Sequence, residues 1–174
     1  AFVALSSAAA ISQAAPIWQD FSITGLYGEN YAHPANMGDN NQQTTATVEY
    51  TAKLKYGDFF GFADRAHNDF ENSTYFELSP RLSLSAVTGT KLEAGPIKDI
   101  LIAGTWEANS SNYPGADFNN YLYGIGFYLA IPYFQYAQLN FYKADNEKGT
   151  TDDYQMTAAY GSPVKLGSED FLSD

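Results

Sequence analysis

Within residues 75–96, YFELSPRLSLSAVTGTKLEAGP, Glu77, Ser79, Arg81 and Ser83 occupy alternate positions, with Phe76, Leu78, Leu82 and Leu84 between them. In a β-strand that period sends one set to each face. The polar set combines two opposite charges with two hydroxyls, a wall able to replace water around a solute. A second segment repeats the pattern, with Glu49, Thr51, Lys53 and Lys55 alternating with Val48, Tyr50, Ala52, Leu54 and Tyr56. By the same parity Tyr128, Gln138, Asn140 and Tyr142 join the polar wall. Opposite charges on neighbouring strands can also neutralise one another. Alternation alone therefore leaves open whether Glu49, Lys53, Glu77 and Arg81 contact a solute or each other.

Other chemistries find little purchase. His33 and His67 are the two histidines, both in loop-like sequence without a serine and aspartate arrangement for a triad. Asp152 with Asp153, and Glu169 with Asp170, are adjacent acids that a strand would turn to opposite faces, which is no acid and base pair. There is no cysteine, no EF-hand spacing and no glycine-rich phosphate loop leading into a helix. No enzyme, metal site or cofactor is expected. A net charge of -11 with no basic stripe argues against nucleic acid as a partner.

These residues need strands to position them, and the chain reads as strands throughout. It holds 14 Tyr and 12 Phe against 9 Lys plus Arg. Beyond the first dozen residues nothing approaches the ~20 apolar residues of a membrane-spanning helix. Eight segments alternate or run apolar: 19–27, 48–56, 58–65, 75–84, 97–107, 120–131, 135–144 and 153–161. In the third, DFFGFADR, both faces carry phenylalanine, so its sidedness stays open. Long polar links are expected after strands one, three, five and seven, and tight ones (YGD, PYF) between. AVTGTKLEAGP after strand four and SPVKLGSED after strand eight are exceptions on the short side. Trp18, Tyr31, Tyr56, Tyr75, Trp106, Tyr121, Tyr133 and Tyr160 fall at or near expected strand ends, where an aromatic belt would sit.

Long loops on one side and short turns on the other describe an all-β, antiparallel transmembrane barrel. A soluble up-and-down barrel or sandwich is the alternative, with the apolar row facing a core. Residues 1–14 read as the remnant of a secretory signal cut after Ala14, and residues 15–174 as the barrel portion.

Three blocks carry a family resemblance: DFFGFAD (58–64), FELSPRLSLSAVTGTKLEAGPIKD (76–99) and YGIGFYLAIPYF (123–134). In order and spacing they resemble the Tsx/OmpK family of nucleoside-specific outer-membrane channels, nearest its OmpK branch, from about residue 18 onward. The resemblance implies a monomeric barrel of about twelve strands in the bacterial outer membrane, among lipid and lipopolysaccharide. Here there are eight strands and the start of a ninth, about two-thirds of such a barrel. It implies passive uptake of nucleosides and deoxynucleosides, and outer loops that in several members serve bacteriophage as receptors. Glu77 and Arg81 lie on the matching motif and carry over as lumen-lining residues; Phe60, Phe62 and Asp64 carry over as candidate pocket residues. The alternatives are a surface receptor or adhesin on a barrel scaffold, and a general small-solute porin.

Overall fold

A computed structural model describes residues 15–30, 42–148, 153–166 and 169–173. The period-two segments become nine strands: β1 (Trp18–Gly28), β2 (Gln43–Leu54), β3 (Gly57–Asn68), β4 (Asn72–Ser83), β5 (Ile97–Ser111), β6 (Phe118–Leu129), β7 (Tyr136–Asn146), β8 (Asp153–Leu166) and β9 (Glu169–Ser173). One short helix, α1 (Leu84–Thr88), lies between β4 and β5. All strands pair antiparallel in sequence order, so each hydrogen-bonds its neighbours in the chain. Eight of these strands curl through 210° as an open half of an antiparallel β-barrel.

Curvature separates the two faces physically. Side chains converge on the concave face and splay on the convex one. The splayed set is apolar: Phe21, Ile23, Val48, Leu78, Leu82, Ile102, Ile125, Phe141 and Met156 are all exposed, Ile23 by 71%. The converging set holds the polar groups among smaller apolar and aromatic ones, and Arg81 and Asn140 are only 9% and 8% exposed. A water-soluble domain distributes these residue types the other way round. The small apolar cluster of Ala103, Leu122, Tyr142 and Ala144 lies on the concave side, between the polar groups. On the convex side Trp106 meets the edge of Phe76 at 4.8 Å and lies nearly parallel to Tyr121 at 6.3 Å, forming a ring ladder across β4, β5 and β6.

The connections depart from the expected alternation of lengths, because local hydrogen bonding shortens several. HNDFENST becomes a turn of residues 69–71, where the Asn68 side chain accepts from the backbone N–H groups of Phe70 (2.9 Å) and Glu71 (2.7 Å). The link between β5 and β6 shrinks to residues 112–117, since ANSS stays in the ladder. The longest wholly described link is residues 84–96, on the side expected to be short. Leu84 does not extend the apolar row of β4. Ser83 caps α1 by accepting from Ala86 N, and Gly89, at φ 70, closes it, so Leu84 opens a helix. SPVKLGSED is no simple link either, because β8 runs on to Leu166 and β9 begins at Glu169.

The aromatic belt is also redrawn. Tyr75 belongs to the concave face, where it contacts Phe62, Phe118 and Glu77. Tyr133 stands in a turn at φ 74 and is 91% exposed. The expected signal remnant (residues 1–14), Tyr31 and His33 lie outside the described residues.

Candidate functional site

Strand register stacks the concave side chains into rows. One row runs Lys53–Asp58–Arg81–Ala103–Gly124–Tyr142 across β2 to β7. Four residues further along the strands, toward the 69–71 turn, a second row runs Glu49–Phe62–Glu77–Glu107–Asn120. Next to it lies a third, Thr47–Asp64–Tyr75–Asn109–Phe118. All eight candidates from the sequence share this face. Glu49 and Lys53 come from β2, Phe60, Phe62 and Asp64 from β3, Glu77 and Arg81 from β4, and Tyr128 from β6.

The first row is a locked network. Arg81 grips Asp58 with two parallel hydrogen bonds, Nε to Oδ1 at 2.7 Å and Nη2 to Oδ2 at 2.6 Å. Its remaining nitrogen Nη1 donates to Asn140 Oδ1 on β7 at 3.3 Å, passing over β5 and β6. Small residues clear that path. A Cβ on Gly126 would lie 2.5 Å from Asn140 Oδ1, so only glycine lets the amide lie there. Tyr128 donates its hydroxyl hydrogen to Asp58, accepts from Lys53 Nζ at 2.8 Å, and has the ammonium 4.1 Å from its ring centroid. The Arg81 guanidinium carbon is 5.0 Å from the same ring.

The second and third rows are aromatic and acidic. Phe60, Phe62, Tyr75 and Phe118 follow one another at centroid separations of 5.9, 5.6 and 6.1 Å. Glu77 and Glu107 stand directly opposite each other, an arrangement unfavourable for two charges. The Tyr75 hydroxyl donates to Glu77 and lies 3.5 Å from Glu107, whose other oxygen accepts from Asn120 Nδ2 at 2.8 Å. Thr47 donates to Asp64 Oδ1 at 2.6 Å, and Ser79 bonds Thr105 at 2.9 Å. Such a wall presents ring faces for stacking beside carboxylates that accept from hydroxyl groups. Among the described residues no three His, Cys, Asp or Glu gather in a way that could hold a metal ion.

Parity does not by itself bring several contributors to the site, among them Asp58, Tyr75, Glu107 and Phe118. Asp58 sits in the quoted DFFGFAD block, and its parity with Phe60 and Phe62 was the available signal. Tyr75 looked like a strand-end aromatic. Glu107 and Phe118 lay where the alternation is weak, and only pairing across β5 and β6 brings them to the row.

No protein-family model matches the chain, and no solved structure does. The chain is similar to the outer membrane protein OmpK of Vibrio parahaemolyticus, with 22% identity over 155 residues, covering 84% of this chain and 56% of the relative. It is likewise 22% identical over 135 residues to OmpK of Vibrio parahaemolyticus serotype O3:K6 (strain RIMD 2210633), covering 72% of this chain and 48% of the relative. The chain thus spans about half the length of the curated relatives it matches.

Proposed function

We propose that this chain forms the greater part of the wall of an outer-membrane channel of the Tsx/OmpK family, which admits nucleosides and deoxynucleosides passively. The observation that carries the reading is the inversion of the two faces. Apolar side chains cover the convex surface while a buried, hydrogen-bonded polar network fills the concave one. That distribution suits lipid outside and water inside. Similarity to OmpK supports the outer membrane as the location. Lipid and lipopolysaccharide are then its surroundings.

Nucleosides rather than small solutes in general are favoured by the ring series Phe60, Phe62, Tyr75 and Phe118 beside Glu49, Asp64 and Glu77. A flat base stacks on such rings, and ribose hydroxyls donate to the carboxylates. The test is swelling of liposomes that contain the full-length protein. Nucleosides should enter faster than sugars of equal size. Entry that depends on charge and not on the base would instead leave a general porin.

A further inference from the structure

Lys53 and Tyr128 come from strands that are far apart on the sheet. Three strands, β3, β4 and β5, lie between β2 and β6. The two strands are thus separated by more than half of the 210° curl. Their side chains nevertheless meet at 2.8 Å, so the pair spans the hollow as a chord and does not lie along the wall. Two further chords fall at the same level, Tyr128 to Asp58 (β6 to β3) and Arg81 to Asn140 (β4 to β7).

Resting on the channel reading, we propose that the Lys53–Tyr128 strut is the constriction that sets pore size and ion preference. The charges around it divide unequally. Both oxygens of Asp58 are held by the buried Arg81 guanidinium. Asp99, next to this level on β5, is turned into the start of α1, where it accepts from Ser83 Oγ, Ser85 N and Ile100 N. Lys53 is exposed, and its ammonium engages a neutral phenol. A permeating ion therefore meets the Lys53 charge at the narrow level, after passing the carboxylates of Glu49, Glu77 and Glu107 in the row nearer the 69–71 turn. Size and ion preference are thus set together at the strut, and the carboxylate row lies at another depth of the wall.

The test uses the full-length protein in planar bilayers, with folding of each variant checked by heat-modifiable migration in gels. Lys53→Met and Tyr128→Leu should each raise single-channel conductance about twofold or more, since either opens the chord. Lys53→Met should also move the reversal potential in a salt gradient toward cation selectivity, and Lys53→Arg, which keeps the charge, should leave it at the wild-type value. Tyr128→Phe, which keeps the ring and removes the hydroxyl, should raise conductance with little change of selectivity. A conducting wild type whose conductance and reversal potential are unmoved in folded Lys53→Met and Tyr128→Phe overturns the strut and leaves the channel reading intact. A wild type that admits neither ions nor nucleosides overturns both.

Discussion

At the scale of single residues, the concave wall depends on an ion pair that its curvature keeps from water. Arg81 offers a planar fork that Asp58 matches with both oxygens, and lysine cannot reproduce that geometry. Arg81→Met in the full-length protein should lower unfolding stability by about 3–5 kcal/mol, because Asp58 is left buried without its partner. Urea titration in detergent measures the loss. Arg81→Met with Asp58→Asn should recover much of it, since no lone charge remains. Phe62 makes a different demand, as it lies within the ring series between Phe60 and Tyr75. Phe62→Ala should weaken nucleoside binding roughly tenfold, the effect of losing one stacking face, while leaving sugar entry nearly unchanged. Competition between nucleosides and sugar in the swelling assay reads this directly.

At the scale of strands, the same substitution should have opposite consequences on the two faces of one sheet. Ile125 on β6 is exposed on the convex side, and Thr157 on β8 shares the concave row of Asn140. Ile125→Arg should destabilise the membrane-inserted protein by about 2–4 kcal/mol if that face meets lipid, and Thr157→Arg by less than about 1 kcal/mol. Equal effects in a vesicle-refolding titration would contradict the assignment of faces. Most of this layout was legible in the sequence. The rows containing Glu77 and Lys53 follow from period two, which a pleated strand imposes without help from its neighbours. The third strand was not legible by itself, because Phe59 and Phe60 load both faces. Pairing decides it, by setting Asp58 against Lys53 and Arg81. The link lengths misled for local reasons. The Asn68 side chain closes a turn that the polar run 67–74 made look like a long loop. Ser83 begins a helix in a run whose alternation continues through Leu84. Contacts between non-neighbouring strands, such as Lys53 with Tyr128, were out of reach, because curvature belongs to the sheet and no single segment encodes it.

At the scale of the whole molecule, nine strands give a wall with a neighbour on one side only at β1 and β9 among the described residues. Lipid offers no hydrogen bonds to such edges. Residues 1–174 alone, reconstituted in bilayers, should give no steady single-channel steps, whereas the full-length protein should. Stable, uniform steps from residues 1–174 would mean that these strands close by themselves, against a curl of 210° over eight of them. The convex ladder has a separate use. Trp18 and Trp106 are the two tryptophans of the chain, and Trp106 lies against Tyr121 near the middle of β5. In a Trp18→Phe variant of residues 1–174, fluorescence reports on one known place on the convex surface. Phospholipids brominated at successive acyl-chain positions should quench it, most strongly at the depth of Trp106. The indole is a built-in depth gauge, able to locate the hydrocarbon boundary without any attached label.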